Sequence, residues 1–394
     1  MPAPPRPGGG LGALHAPTFA GNEWRYLREC LDSGWVSSAG PFVDRFEAAV
    51  AAYTGARHVV ATITGSAALH VALQGVGLRP GEEVLLPDLT FIAPFSAVRS
   101  CGAAPVLLDV ERRSWQLDAD RLAAFLAEEC VMHGDRCINR RSGRRVRAVV
   151  AVHLLGLACE IDRVVAIARR HRLAVVEDAA QALGVRYRGR HVGTFGDAGI
   201  LSFNGNKIAT AGGGGALLTN DARRAAGARR LTTHARREDR LDSVHSGVGF
   251  NYRLSNLHAA LGLAQLEQVD DFIARKRRLA EAYRRAFEAL SGVEPMPLTP
   301  RTDATWWLYT IQLAGAASGP CRDRVLRALA AAGVGARPLW APLHRQPPAR
   351  GCQRYGVRNA QHLFARSISL PSSAHLSAAA VRRCVRAVAA ALAR

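Results

Sequence analysis

Lysine is almost absent from this chain of 394 residues: it occurs only at Lys207 and Lys276, and the rest of the 52 basic residues are arginine. Long apolar runs are also absent, because no window approaches the roughly 20 residues that span a bilayer. The first ten residues, MPAPPRPGGG, lack the apolar core of a signal peptide. We therefore predict no membrane span, a disordered tail over residues 1–16, and a cytoplasmic protein.

The eight cysteines form no C-x-x-C pair, and their spacings are irregular. Zinc sites and disulfide frameworks have regular cysteine spacings, so neither is expected. We predict reduced thiols, mostly buried, and no metal site.

Acidic residues are outnumbered, which leaves a formal net charge of +20. The arginines are scattered along the chain, which is typical of a coding bias towards Arg and Ala. A polyanionic partner is the alternative, and a basic nucleic-acid-binding regulator would be the corresponding function. No helix-turn-helix with a clustered basic face supports it. A small anion such as a nucleotide diphosphate is compatible with the same charge.

Continuous apolar segments alternate with helical segments from about residue 57, as at His58–Ile63 and Arg147–His153. Continuous rather than alternating hydrophobicity is typical of strands buried on both faces, and the order predicts an α/β fold with a mainly parallel sheet. Long helices follow residue 254, and Trp306–Ile311 is predicted to be a strand. We predict a large domain over 17–254 and a smaller α/β domain over 255–394.

Lys207 closes the segment Ser202–Lys207, directly after a buried strand and before the glycine run Gly212–Gly215. A lysine retained in an arginine-rich chain indicates a need that arginine cannot meet. Lysine can lose its proton and form a Schiff base, whereas arginine remains charged. Lys276 is expected to be an ordinary surface lysine.

Asp178 stands at the end of another predicted strand, where open parallel sheets bind ligands. It could cap the following helix. It could instead face a pyridine nitrogen and keep it protonated, with Gln181 one turn further on near the ring substituents.

Thr64, Gly65 and Ser66 join a strand to a helix, and free N–H groups at a helix start favour phosphate. Ser202 offers a second hydroxyl.

Phe91 follows a strand and could lie over a flat cofactor, although an isolated Phe more often belongs to a core. His153 could be a core histidine or a polar group near the substrate.

The glycine run Gly212–Gly215 precedes a strand instead of opening a helix, so it does not match a dinucleotide-binding loop.

Three segments together resemble the DegT/DnrJ/EryC1/StrS sugar aminotransferases, which are fold-type I enzymes dependent on pyridoxal 5′-phosphate. The segments are Ser202–Lys207 with its glycine run, Glu177–Gln181 and Gly249–Asn256. The resemblance covers nearly the whole chain from about residue 17. The Asn-Gly-Asn before Lys207 and the basic segment Cys137–Arg145 are similar to the branch acting on nucleotide-linked 4-keto-6-deoxy-N-acetylhexosamines, as in legionaminic-acid and bacillosamine-type pathways.

The resemblance implies a role for each candidate residue. Lys207 would hold the cofactor and move a proton, Asp178 would pair with the pyridine nitrogen, and Gln181 would lie near the ring oxygen. Phe91 matches the aromatic residue that stacks on the ring. The phosphate contacts correspond to Gly65, Ser66 and Ser202. Asn251 matches an asparagine that the second subunit supplies to the phosphate, which implies a homodimer with shared active sites.

The expected reaction is transfer of an amino group from an amino acid, L-glutamate, to C4 of the nucleotide-linked keto-sugar. The family usually has Gly-Glu-Gly-Gly where this chain has Gly212–Gly215, which leaves the lysine chemistry unaffected. A dehydrase on the same cofactor is one alternative, but the dehydrases of this family replace the lysine with histidine. An aminotransferase acting on another sugar, a cyclitol or an aromatic precursor is a second.

Overall fold

The computed structural model describes residues 11–237, 242, 244–314 and 319–393. The helices of these residues are α1 (Glu23–Ser33), α2 (Pro41–Thr54), α3 (Gly65–Gly75), α4 (Ala93–Ser100), α5 (Ala119–Glu128), α6 (Ile161–Arg170), α7 (Ala222–Thr232), α8 (Asn256–Leu266), α9 (Val269–Glu288), α10 (Gly319–Ala331), α11 (Arg358–Arg366) and α12 (Ala378–Leu392).

The strands are β1 (His58–Thr62), β2 (Glu83–Pro87), β3 (Ala104–Leu108), β4 (Cys130–His133), β5 (Arg136–Asn139), β6 (Arg145–Val152), β7 (Ala174–Asp178), β8 (Arg186–Tyr187), β9 (Arg190–His191), β10 (Ala198–Ser202), β11 (Gly215–Thr219), β12 (Val293–Glu294), β13 (Thr302–Asp303), β14 (Thr310–Leu313), β15 (Arg337–Pro338), β16 (Arg354–Tyr355) and β17 (Ser367–Ser369).

A ten-stranded sheet forms the centre of the molecule, in the order β1-β11-β10-β7-β6-β2-β3-β16, with the β4–β5 hairpin attached to β6. The pairs from β10 through β7, β6, β2 and β3 to β16 are parallel. β11 runs antiparallel between β1 and β10. The prediction of an α/β fold with a mainly parallel sheet is therefore confirmed.

Burial explains why these segments are apolar throughout. All five residues of β2 and of β11 are buried, because helices cover both faces of the sheet. The covering helices are amphipathic: α6 buries Ile161, Val164, Val165 and Ala168 and leaves its charged residues outside.

A smaller antiparallel sheet, β12-β14-β17-β15, lies in the C-terminal part of the chain. Helices α9, α10 and α11 pack against it, and α12 packs on α9 and α10. The strand expected over Trp306–Ile311 begins later, at Thr310. Trp306 has a φ of 53°, which is incompatible with an extended strand.

The division of the chain at residue 254 stays a prediction. Two features connect the parts on either side of it: α8 packs against α1 and α2, and β16 adds a parallel strand to the edge of the central sheet at β3.

The segment from residue 11 to residue 16 is packed, contrary to the expectation of a disordered tail. Leu11 is buried, and its carbonyl accepts the N–H of Gly335. The carbonyl of Leu14 accepts the N–H of Ser372, and the N–H of Ala16 donates to the Ser373 hydroxyl. One buried leucine, two bonds to distant backbone and one to a distant side chain anchor this segment, whereas residues 1–10 lie outside the described part of the chain.

Six of the eight cysteines are buried, as expected, and all eight are free thiols. Among the described residues, no helix has the length and apolar character needed to cross a bilayer. Within the same residues, no group of three or more His, Cys, Asp or Glu side chains is arranged to hold a metal ion.

Candidate functional site

Three strands and one helix start meet at the same edge of the central sheet. β7 ends at Asp178 and β10 at Ser202, while β1 leads through Thr64 into α3. The carboxyl ends of strands that point the same way meet at one edge, so segments far apart in sequence become neighbours. The residues predicted from these strand ends therefore face one region.

The start of α3 is arranged to receive an anion. The Thr64 hydroxyl caps the helix by accepting the N–H of Ala67 at 3.0 Å, and the N–H of Ala68 bonds to the Thr64 carbonyl. The N–H groups of Gly65 and Ser66 precede the first intrahelical bond, and they point out of the helix start together with the positive end of its dipole.

Two glycines make this helix start fit against the sheet. A Cβ on Gly65 would lie 2.9 Å from the Ser202 Cβ, and a Cβ on Gly215 would lie 2.5 Å from the backbone nitrogen of Gly65. Larger residues would force α3 away from β10 and β11. The last glycine of the Gly212–Gly215 run thus serves close packing beneath the anion-binding turn.

Lys207 lies just beyond β10, with its backbone N–H bonded to the Asn204 carbonyl at 2.9 Å. Its Nζ is 4.0 Å from the centre of the Trp307 ring, a cation–π distance. Trp307 is fixed in turn, because its indole N–H donates to the Asn206 carbonyl at 2.7 Å. Burial lowers the pKa of Lys207 to about 8, against the opposing charge of Asp178.

Asp178 is buried, and its Oδ1 accepts the N–H of Ala180 at 3.0 Å. Burial raises the pKa of this carboxyl, while the bond from Ala180 and the charge of Lys207 act in the opposite direction. A cationic group beside the carboxylate would offset the cost of burying its charge. The nearby amide of Gln181 is oriented, since its Oε1 accepts the N–H of Leu155 at 2.8 Å and its NH₂ group remains the donor end.

His153 is a core histidine. It is fully buried, its Nε2 lies 3.0 Å from Oε2 of Glu177, and its Nδ1 accepts the N–H of Cys159. Glu177 also accepts the N–H groups of three residues, Gly193, Phe195 and Gly196. The structure therefore favours the core histidine over a polar group near the substrate. His153 belongs to a buried polar network beneath β7, the strand that carries Asp178.

The strand ends border a pocket of about 340 Å³. Seven of the eight residues predicted for the site line it: Gly65, Ser66, Phe91, Asp178, Gln181, Ser202 and Lys207. Phe91 is half exposed at the pocket wall, and its ring centre lies 6.4 Å from that of Trp340 in an edge-to-face arrangement. A larger cleft of about 630 Å³ lies elsewhere, around Asp118, Arg163 and Pro297–Arg301, and its lining includes none of these eight residues.

Asn251, the eighth predicted residue, does not line the pocket of its own chain. It is exposed and forms an isolated bridge with Thr233. It is not the cap of the next helix, because Ser255 caps α8 through the N–H of His258. Asn251 therefore does not act as a helix cap in its own chain.

The site residues predicted from the sequence leave out several lining residues, among them Leu14, Asn206, Trp307 and Trp340. Asn206 adjoins Lys207 and could have been included by proximity. The adjacent tryptophans Trp306 and Trp307 were assigned to a strand, and Leu14 to a tail. Only the packing of distant segments brings Leu14, Trp307 and Trp340 to the pocket.

Comparison with known proteins gives a consistent result. Residues 17–389 match the model of the DegT/DnrJ/EryC1/StrS aminotransferase family. The GDP-perosamine synthase of Caulobacter vibrioides is 38% identical over 377 residues, which cover 95% of this chain and 97% of that protein. The GDP-perosamine synthase of Escherichia coli O157:H7 is 34% identical, with 92% and 94% covered. The crystal structure of the aminotransferase TlmJ from Streptoalloteichus hindustanus superposes with a TM-score of 0.87 at 27% identity, covering 97% and 98% of the two chains.

Proposed function

The chain belongs to the DegT/DnrJ/EryC1/StrS aminotransferase family, and we propose that it transfers an amino group from L-glutamate to C4 of a nucleotide-linked 4-keto-6-deoxyhexose. The observation that carries the proposal is the placement of Lys207 and Asp178 in one pocket with the start of α3. The chain is a pyridoxal phosphate-dependent aminotransferase that acts on nucleotide sugars. Membership in this family removes the alternative of a nucleic-acid-binding regulator, for which the net charge was the sole argument.

The pocket residues fit the cofactor. A buried carboxylate suits a cationic ring nitrogen, and Asp178 supplies it. The free N–H groups at the start of α3, with the hydroxyls of Ser66 and Ser202, suit a phosphate. Phe91 and Trp340 form an aromatic wall beside the pocket, and Lys207 is the amine that would hold the cofactor's aldehyde carbon. When bound, pyridoxal phosphate withdraws electrons from the substrate carbon that carries the nitrogen.

Lys207 moves the proton in this proposal. A pKa near 8 means that a substantial fraction of the amine is neutral at neutral to mildly alkaline pH, so Nζ can accept a proton and return it. The Trp307 ring covers one side of Nζ and limits the approach of water from that side. Asp178 remains ionised once a cationic nitrogen lies beside it, and it keeps that nitrogen protonated.

The sugar is the finer part of the proposal. The two relatives named GDP-perosamine synthase match nearly their whole length, which favours a GDP-linked sugar for this chain. The Asn-Gly-Asn before Lys207 and the Cys137–Arg145 segment favour an N-acetylated hexosamine instead.

A homodimer with shared sites forms the second part of the proposal. Asn251 is exposed next to Val248, which is 87% exposed. The segment is held rigidly, because Arg253 forms an ion pair with Glu47 at 2.6 Å and a bridge with Thr62. Trp35 is 54% exposed, and its carbonyl is bonded by Asn256. An exposed apolar surface beside a fixed asparagine supports contact with a second copy of the chain.

The test is an assay of the purified enzyme with glutamate and a panel of GDP- and UDP-linked 4-keto-6-deoxy sugars, with and without an N-acetyl group. We expect one sugar to gain a single amino group, seen by mass spectrometry, with an equal amount of 2-oxoglutarate. A Lys207→Ala variant should form neither product. Loss of water from the sugar without gain of nitrogen would contradict the proposal in favour of a dehydrase.

A further inference from the structure

The second lysine of the chain, Lys276, is buried although it was expected at the surface. It lies on α9 with only 1% of its surface exposed. Its Nζ donates to the Trp307 carbonyl at 2.9 Å and to the Ser372 carbonyl at 2.5 Å. An arginine-rich chain has therefore kept lysine at two positions, one in the pocket and one behind it.

Both carbonyls belong to segments that form the pocket wall. Trp307 places its ring against Nζ of Lys207. Ser372 donates its N–H to the carbonyl of Leu14, another lining residue, and its hydroxyl accepts the N–H of Tyr309. The Lys276 amino group thus connects the Trp307 backbone to Ser372, the residue that anchors the N-terminal segment at Leu14.

We propose that Lys276 is a positioning residue that holds Trp307 against Lys207 and thereby sets the reactivity of the Lys207 amine. The proposal rests on the proposed function only in taking Lys207 as the reactive lysine. Lys276 does not line the pocket, and it acts through the two carbonyls that it bonds.

The chemistry of the position explains why arginine is not used there. Burial lowers the pKa of Lys276 to about 7, and a neutral amine has two N–H donors for the two carbonyls. Arginine could not lose its charge in this buried position. His15 lies within electrostatic range of Lys276, His375 and Lys207. Burial is the largest cause that lowers the pKa of His15, and the charges of these three groups lower it further.

The test uses the fact that the chain has only two lysines. Full-length protein freed of cofactor is treated with limiting acetic anhydride from pH 6 to pH 10, and modification of the Lys207 peptide is measured by mass spectrometry. The unmodified protein should show a midpoint near pH 8. In Lys276→Met, Trp307 loses its anchor and water reaches Lys207, so the midpoint should rise by about one unit and labelling at pH 8 should fall about fivefold.

The matched control is Arg278→Met, which removes a cation from the exposed side of the same helix. It should leave the midpoint unchanged. Cofactor absorbance and circular dichroism of the loaded enzymes verify that each variant folds and binds cofactor. Because labelling is done without cofactor or substrate, its outcome is independent of whether the proposed sugar is correct.

A double-mutant cycle separates positioning from a general loss of structure. Trp307→Ala should raise the midpoint by itself, and adding Lys276→Met should raise it no further, because both changes remove the same contact. Additive shifts, or an unchanged midpoint in Lys276→Met, would overturn the proposal. If Lys276→Met does not fold, Lys276→Leu takes its place, since its side chain also lacks an N–H donor. Failure of both to fold would assign Lys276 to the stability of the whole fold and would also overturn the proposal.

Discussion

Burial and the carboxylate of Asp178 have opposite effects on the pKa of the Lys207 amino group. Burial is the larger effect and lowers the pKa to about 8. The group is therefore mostly protonated below pH 7 and mostly neutral above pH 9. An exposed lysine would reach the same state more than two pH units higher.

We predict that capture of pyridoxal phosphate by the cofactor-free protein follows this titration. The rate should rise about fivefold from pH 7 to pH 8 and less than about twofold from pH 8 to pH 9, because only the neutral amine reacts. The measurement is the growth of visible absorbance, with a free model amine run in parallel as the solvated reference. A rise of about tenfold per unit that continues beyond pH 9 would show an ordinary, solvated lysine.

Asp178 can be tested by a change that preserves its shape. Asp178→Asn keeps an oxygen that can accept the Ala180 N–H, so the fold should be retained. It removes the charge that is proposed to keep the ring nitrogen protonated, and kcat should fall by about 10² to 10³-fold. The assay is steady-state amino transfer, with folding followed by circular dichroism.

Asp118→Asn, at the cap of α5 outside the pocket, is the control and should retain normal turnover. Near-normal turnover in Asp178→Asn would refute the assigned role. If Asp178→Asn unfolded, the Asp178 carboxylate would have a structural role at the strand end.

At the scale of elements, the join between β1 and α3 combines a stability function with a binding function. The Thr64 hydroxyl caps the helix, and the N–H groups next to it are those proposed to bind phosphate. Removing the cap also loosens the first turn, where those N–H groups lie. The two functions therefore depend on one side chain.

Thr64→Ala should lower the free energy of unfolding by about 1 kcal/mol and weaken cofactor binding severalfold. The measurements are urea denaturation and a cofactor titration. Asp221→Ala is the matched control, since Asp221 caps α7 through the N–H groups of Arg223 and Arg224. It should cost similar stability and leave cofactor affinity unchanged. Equal losses of affinity in both variants would mean that the α3 start has no special part in binding.

At the scale of the whole molecule, the proposed dimer assigns Lys207 and Asn251 of one chain to different active sites. Asn251 is exposed and does not line the pocket that contains Lys207. A heterodimer of Lys207→Ala and Asn251→Ala subunits would then have one unaltered site and one doubly altered site.

Verified heterodimers should recover towards half the activity of the unmutated dimer. If both residues served the same site, each site would have one lesion, and activity would stay at the average of the two parent variants. The measurement is amino transfer by heterodimers isolated through two different affinity tags. Activity at the parental average would reject the shared-site arrangement.

The sequence by itself determined the order of the elements and the residues at strand ends. Lys207, Asp178, Gly65 and Ser66 follow buried segments directly, and a parallel sheet brings such ends to one edge. The local pattern of apolar residues therefore predicts that these residues meet in space, without any knowledge of side-chain packing. The family was predicted from a resemblance, and two of the three segments that carry it, Glu177–Gln181 and Ser202–Lys207, lie at these strand ends.

Only the tertiary structure decided what closes the pocket from the other side. Leu14, Trp307, Trp340 and Lys276 come from segments separated by tens to hundreds of residues, and their places depend on which backbone carbonyls and rings they meet. Periodicity in the sequence reports whether a segment is buried, but it does not report which partner buries it. The sequence therefore predicts a surface lysine at Lys276, whereas in the structure α9 packs behind Trp307 and buries this side chain.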